Sequence, residues 1–458
     1  LIVSHHQDTS SPWNDYQISV SDKQLIDQLS NKTSVVLINF TSPYALSKLE
    51  STLSIDAILN LYQNHQIAQK VAASIIYGAR QSKGKLPVSV SRAYPVNSGL
   101  KSKNLFRLYE DLPQSAGLSE RKLAKVDSMV KASIKDKQMP GVQLLIAKDR
   151  KVVYQKNYGY YRYEKEKPIT DTTLYDIASL TKIMATLPTL MHLYERNSLD
   201  FDDKLGKLLT DYKGSNKENI SIKRMLSHYA RLKNWIPFYQ STLDDRKKYY
   251  REKQSDSFSI KLTDEMYLRR DFKDSIYHQI RESKLNDSLE YDYSDLPFYI
   301  LKQYIEEKFD NSLDQIADQL FYKPLGNRYM LYHPLEKFDK ENIAPSYVDE
   351  KWRKQEIQGI VQDQGAAMLG GVGGHAGLFA NSRDVAKMMQ LYLNGGHYGG
   401  KRYFNQETIN AFNTCYYCDE NVRRGVGFDK PQLEDVGPTC GCISMKSFGH
   451  SGYTGAYT

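Results

Sequence analysis

Apolar positions along the chain change their period several times, and the changes outline its elements. Ser34-Val35-Val36-Leu37-Ile38-Asn39-Phe40 is a short, nearly continuous apolar run, which predicts a buried strand ending at Ser42-Pro43-Tyr44. Ile55 to Tyr62 is a second strand-like run. From Ile67 to Tyr77 the apolar residues Ile67, Val71, Ala72 and Ile75 share one face of a predicted helix that Gly78 stops. Gly84 to Val90 then returns as a strand. Strand, helix and strand on short loops predict a parallel α/β layer.

Gly99, Pro113 and Gly117 punctuate a linker over residues 96–117. Ser119 next caps a helix with the apolar stripe Leu123, Val126, Val130 and Ile134, ended by Pro140-Gly141. Val142–Ala147 and Val152–Gln155 predict a hairpin turning at Asp149-Arg150. Ile183, Leu187 and Leu190 recur at helical spacing. From about 190 to 345 the pattern is mostly helical and charged, with Asn219–His228 and Asp264–Glu282 as separate segments. Residues 366–379 are glycine-rich, and Ser382 to Leu393 predicts a helix ended by Asn394-Gly395-Gly396.

Length and composition narrow the classes. A chain of 458 residues suggests two or three domains. A hydrophobic share of 40% with 25% charged residues is ordinary for a globular protein. The net charge of +8 comes from mixed signs with no basic block, so nucleic acid is not an expected partner. No run approaches the ~18 apolar residues of a membrane span. No signal peptide is visible, but the first residue is Leu, so the visible start is read as different from the native one. All four cysteines lie close together, as Cys415, Cys418, Cys440 and Cys442. Their pattern leaves disulfides, free thiols and a zinc site open, and disulfides would suit an extracytoplasmic protein.

The candidate chemistry centres on Ser179-Leu180-Thr181-Lys182. A serine in the first turn of a helix shares a face with a lysine three residues on, since a turn takes ~3.6 residues. The amine then reaches the hydroxyl and can activate it as a nucleophile. The glycine-rich stretch Met368–Phe379 has no lysine after its glycines, which excludes a phosphate loop and leaves a tight turn near the site. No spacing of metal ligands on a helix appears, so no catalytic metal is expected, and no cofactor.

Two further motifs give the serine a context. Tyr293-Ser294-Asp295 begins 114 residues after Ser179, and His450-Ser451-Gly452 begins 157 residues after Tyr293. With Gly374-His375-Ala376-Gly377-Leu378-Phe379 and Arg424-Gly425-Val426-Gly427-Phe428, this order resembles the serine hydrolases related to class C β-lactamases and penicillin-binding DD-peptidases, over about residues 112–458. That resemblance implies an α+β domain at 118–458, with an antiparallel sheet and a helical subdomain. It implies Ser179 as the nucleophile, Lys182 helping to take its proton, and Tyr293 as the second proton-transfer group. Asp295 would bond Lys182 or the substrate amide. His450 would stand in the place usual for lysine, with Ser451 beside it and Gly452 leaving room for the substrate backbone. The oxyanion would sit between the N–H groups of Ser179 and Tyr453. Asp295 in place of asparagine and His450 in place of lysine are also found among relatives that act on esters, amides or peptides, so β-lactam hydrolysis is not implied. His228 and His375 are expected to be structural.

Residues 1–95 resemble the end of the α/β-sandwich domain of glycoside hydrolase family 3, on Asn39–Leu46, Tyr62-Gln63-Asn64 and Gly84-Lys85-Leu86-Pro87-Val88. The expected fold class is therefore α/β plus α+β. The two resemblances together imply a bacterial fusion of a β-N-acetylhexosaminidase with a serine hydrolase domain in the cell envelope. In that reading the chain is a fragment. An upstream barrel domain and the last strands of the second domain are missing, and the partners are small-molecule or peptide substrates from the cell wall. The alternative is a parent that acts mainly as a glycosidase and carries an accessory, non-catalytic serine-hydrolase-like module.

Overall fold

The computed structural model describes residues 1–6, 18–49, 52, 54–432 and 439–458. They fall into two units, Leu1–Tyr109 with Tyr398–Lys401, and Glu110–His397 with Arg402–Thr458.

The first unit is built on three parallel strands, β1 (Ile2–His5), β2 (Val36–Asn39) and β3 (Ala57–Asn60), in that spatial order. Two helices accompany them, α1 (Val20–Ser30) and α2 (Gln66–Ile76). The central strand explains why its sequence is apolar throughout. Leu37 packs into a cluster with Ile26, Leu46 and Ile55, while Ile38, next in the chain, packs with Phe40 and Ala72. A parallel strand covered on both faces has no polar side to show. Helix α2 begins on His65, whose ring accepts the Ile67 N–H, and stops before Gly78 at φ +70°. The expected strand at Gly84–Val90 is absent. Leu86 exchanges backbone hydrogen bonds with Asn97 and Ser98, and Val90 bonds Tyr94, so the segment folds back on its own loop and adds no strand to the sheet.

The second unit opens with α3 (Glu120–Lys135), capped by the Ser119 hydroxyl. It ends before the expected Pro140-Gly141, because Lys137 takes a left-handed conformation at φ +55°. Strands β4 (Gly141–Lys148) and β5 (Lys151–Gly159) form the expected antiparallel hairpin. Asp149 and Arg150 turn it, both at positive φ, as a two-residue loop between right-twisted strands requires. Farther along, β6 (Tyr175–Asp176) leads into α4 (Leu187–Glu195).

The stretch from 190 to 345 is less helical than its pattern predicts. Strands β7 (Tyr250–Arg251), β8 (Ile260–Thr263) and β9 (Met266–Leu268) form a small antiparallel sheet in the order β7-β9-β8. The predicted helix from Asp264 starts only at α5 (Phe272–Glu282), since Met266 and Leu268 are buried at the period of a strand. Asn219–His228 likewise yields only a short helix over Ile222–Leu226. Helix α6 (Leu296–Phe309) is the centre of this unit. Leu296, Phe298, Ile300, Leu301, Tyr304 and Ile305 are all 1% exposed or less, and such a helix is enclosed on nearly every side.

The glycine-rich stretch follows α7 (Gln364–Met368) and packs on α6. A Cβ at Gly374 would sit 2.2 Å from the Phe298 carbonyl oxygen, so only glycine allows the approach. Strand β10 (Phe379–Ala380) then pairs antiparallel with β6, and α8 (Ser382–Leu393) lies against β4. Helix α9 (Gln406–Asn413) packs on α4. Cys415 is disulfide-bonded to Cys418 and Cys440 to Cys442, the first of the three states their spacing left open. The unit mixes an antiparallel hairpin and its helices with a largely helical part, an α+β architecture.

Candidate active site

Ser179 sits in a tight three-residue turn, Ala178–Leu180, between β6 and α4. Residues three apart lie nearly above one another in such a turn. The next turn, Lys182–Thr186, is a π-helical widening before α4 becomes regular. Ala178 adopts φ +43°, a conformation that costs a non-glycine residue about 1–3 kcal/mol and recurs at functional sites. Its neighbours hold it there. The Ala178 N–H donates to Asp176 Oδ1 at 2.8 Å, and the Ile177 N–H donates to the Leu378 carbonyl at 3.0 Å.

The strained turn delivers the nucleophile candidate to its partners. Lys182 Nζ donates to Ser179 Oγ at 2.7 Å and lies 2.7 Å from Asp295 Oδ1. A third contact, 3.3 Å, goes to the His375 carbonyl in the glycine-rich stretch. The Tyr293 hydroxyl reaches Ser179 Oγ at 3.1 Å. Lys182 is fully buried, between the rings of Tyr293 and Phe298. Burial alone would lower its pKa, but the Asp295 carboxylate and Tyr293 outweigh it, so the ammonium form is favoured.

Tyr293 and Asp295 reach the same place because they alternate along an extended segment leading into α6. Between them, the Ser294 N–H donates to His228 Nδ1 at 3.0 Å and the Ser294 hydroxyl donates to the Lys233 carbonyl at 2.5 Å. His228 thus pins the Tyr-Ser-Asp segment from behind and holds no position on the cleft. Asp295 precedes α6 but leaves its helix end uncapped, because its carboxylate is committed to Lys182.

The His-Ser-Gly segment behaves differently from the others. His450 is 2% exposed and touches neither Ser179 nor the cleft. Its Nδ1 lies 2.7 Å from the Ser451 carbonyl, and its ring centre 6.0 Å from that of Tyr293. Burial, then the nearby Arg424 and Lys182, push its pKa well below the usual histidine value, so the ring is neutral. The fixed cation on this side is Arg424, 4% exposed and 5.3 Å over the Tyr293 ring, with two hydrogen bonds to the Tyr291 hydroxyl. The sequence placed Arg424 only within a family-like stretch; its charge facing Tyr293 depends on packing. Ser451 is exposed. Gly452 has a task that the sequence did not show: a Cβ there would lie 2.6 Å from the Ile177 carbonyl oxygen, so it leaves room for the nucleophile's own turn. Thr454 ties the same segment to β6 through the Asp176 carbonyl at 2.6 Å.

These residues surround a cleft of about 470 Å³. Ser179, Tyr293 and Asp295 line its floor, Trp235 to Tyr239 one wall, and Tyr453 a lip. Among the described residues no carbonyl accepts from the N–H of Ser179 or of Tyr453. Two further carboxylates went unnoticed in the sequence. Asp176 is buried, and burial raises its carboxyl to about 6, while the N–H groups of Gln362 and Ala178 restrain the rise. Asp363 lines the cleft and pairs with His375 Nε2 at 2.8 Å. No group of three or more histidine, cysteine or acidic side chains among the described residues could hold a metal.

The chain is similar to known proteins. The family model described as Beta-lactamase matches residues 126–458. A protein of Escherichia coli K12 named "Putative D-alanyl-D-alanine carboxypeptidase" is 30% identical over 376 residues, covering 77% of this chain and 82% of that protein. A Salmonella agona protein of the same name is also 30% identical, over 76% of this chain and 81% of its own length. Among solved structures, a penicillin-binding protein homologue from Caulobacter crescentus superposes with a TM-score of 0.52 at 18% identity, over 72% of this chain and 85% of that one.

Proposed function

The chain belongs to the beta-lactamase family and is a serine hydrolase, and from that premise we propose that Ser179 forms an acyl-enzyme with amides or esters drawn from cell-wall peptides. The observation that carries the reading is the meeting of Ser179 Oγ with Lys182 Nζ at 2.7 Å and with the Tyr293 hydroxyl at 3.1 Å. Two groups that exchange protons converge on one hydroxyl in a cleft with room for a peptide segment.

The chemistry divides between them. Lys182, held beside Asp295, donates to Ser179 and stabilises negative charge there. Tyr293, whose oxygen lies 3.1 Å from Ser179 Oγ, serves as the group that takes the serine proton while Ser179 Oγ attacks the carbonyl carbon. The tetrahedral oxyanion lies between the N–H groups of Ser179 and Tyr453, and losing one such donor typically costs about 3–4 kcal/mol. Collapse breaks the bond to the leaving group, which receives the proton from Tyr293. A water then gives its proton to Tyr293 and attacks the ester, and that proton passes from Tyr293 to Ser179 Oγ as the bond between the acyl group and the serine breaks.

Two observations support the cell-wall setting. The curated relatives named as carboxypeptidases act, by that name, on D-alanyl-D-alanine. The first unit's resemblance in sequence to glycoside hydrolase family 3, over Asn39–Leu46, is the second support for a cell-envelope setting. The test is mass spectrometry of the chain mixed with a D-alanyl thioester. A mass gain of one acyl group on the wild type, absent from Ser179→Ala, is the expected result. A folded wild type that never acylates contradicts the reading.

A further inference from the structure

Two carboxylates, Asp295 and Asp363, line the cleft beside His375, and among the described residues no lysine or arginine does. The nearby cations are committed elsewhere. Lys182 is fully buried behind the nucleophile, against Asp295, Ser179 and the His375 carbonyl. Arg424 is buried against Tyr291, with Asp429 3.5 Å away. His450 is neutral and off the cleft.

Asp363 is held rigidly for a purpose its hydrogen bonds do not exhaust. Its Oδ1 accepts from the Ala366 N–H at 2.7 Å, as the cap of α7, and pairs with His375 Nε2 at 2.8 Å. The side chain is still 30% exposed, which leaves its second oxygen for the cleft. Burial would raise this carboxyl, but His375, the Ala366 N–H and Lys182 outweigh it and hold it at about 2, so the charge is present at neutral pH. Independently of the carboxylates, the cleft presents aromatic faces to solvent: Trp235 is 54% exposed and Tyr453 87% exposed. Carboxylate and exposed aromatic rings together are the chemistry that receives an organic cation. A free carboxylate in the same space would meet the repulsion of these carboxylates.

Resting on the acyl-enzyme reading, we propose that the cleft selects substrates presenting an ammonium, and no free carboxylate, beside the scissile carbonyl, and that Asp363 sets this preference. The enzyme then cleaves amides or esters of amine-bearing acyl groups, and a peptide ending in a free carboxylate at this site is a poor substrate.

The test is protection of Ser179 from a fluorophosphonate at neutral pH by three small compounds that differ in charge: D-alaninamide, N-acetyl-D-alaninamide and N-acetyl-D-alanine. D-alaninamide is expected to slow labelling at a concentration about tenfold below that of the neutral compound, the order of effect that one partly shielded charge contact supplies. N-acetyl-D-alanine is expected to be the weakest. Asp363→Asn should bring the three together, while Asp363→Glu should keep their order. If Asp363→Asn does not fold, the wild-type order decides. Equal or better protection by N-acetyl-D-alanine overturns the proposal, as does protection by none of the three, or an unchanged order in a folded Asp363→Asn. Absence of any labelling of the folded wild type is a different result: it removes the acyl-enzyme reading itself, and this inference with it.

Discussion

Gly452→Ala separates two accounts of the His-Ser-Gly motif. The added Cβ would stand 2.6 Å from the Ile177 carbonyl oxygen and 3.4 Å from the Ala178 Cβ. Reaching ordinary contact with the carbonyl requires an opening of about 0.8 Å between two stretches of backbone. Neither yields easily. Ile177 is bonded to Leu378 at 3.0 Å, and Gly452 bonds Ala456 at 2.7 Å, with Thr454 tied to Asp176. The opening therefore moves Tyr453 away from Ser179 and spreads the two N–H groups assigned to the oxyanion. A misplacement near 1 Å typically costs about a hundredfold in rate, and overpacking of this kind about 1–3 kcal/mol of stability. The assay is the rate of Ser179 labelling by a small fluorophosphonate, with urea unfolding alongside. The account expects both to fall. If Gly452 only made space for the substrate backbone, labelling by the small probe would keep its rate and KM for longer peptides alone would rise. A Gly452→Ala chain with the wild-type labelling rate and stability would refute the packing argument.

Other consequences are also measurable. Asp295→Asn keeps the shape of the side chain but leaves the buried Lys182 ammonium without its counter-charge, and urea unfolding should show a loss of about 3 kcal/mol together with a steep fall in labelling. His228 and His450 are both held neutral, first by burial and then by Arg424 and Lys182. Their folded pKa values lie below the unfolded value of 6.5, so the folded state binds fewer protons and stability falls as pH drops below 6.5. His450→Gln should flatten that fall relative to wild type by up to about 1.4 kcal/mol per pH unit, measured by urea unfolding between about pH 5 and 7. Asp176 works the other way: its raised carboxyl stabilises the fold below the usual carboxylate value, and that contribution is lost as pH rises through about 6, so unfolding of Asp176→Asn against wild type should show the opposite slope.

What could be read from the sequence was local. Ser179 and Lys182 meet because they are three residues apart in one turn, and Tyr293 and Asp295 because they alternate in one short segment. Such arrangements survive whatever the rest of the chain does. The helix after Ser119 and the hairpin at Asp149-Arg150 were legible for the same reason. What escaped depended on packing between distant parts. Gly84–Val90 has the composition of a strand but bonds its own loop. Met266 and Leu268 carry strand periodicity inside a charged stretch that reads as helix. His450 has the right place in its motif, yet its neutrality follows first from its burial and then from Arg424 and Lys182, which approach it from other segments. Asp363 had no motif at all; its place follows from the fold of the glycine-rich stretch over α6, which sets His375 beside it.

The central claim is that Ser179 is an assembled nucleophile. Intact-mass spectrometry of the chain after exposure to a fluorophosphonate, beside Ser179→Ala, tests it most directly. The account predicts one adduct on the wild type and none on the variant. A wild-type chain that is folded by circular dichroism and takes no adduct, or a Ser179→Ala chain that still takes one, would contradict it.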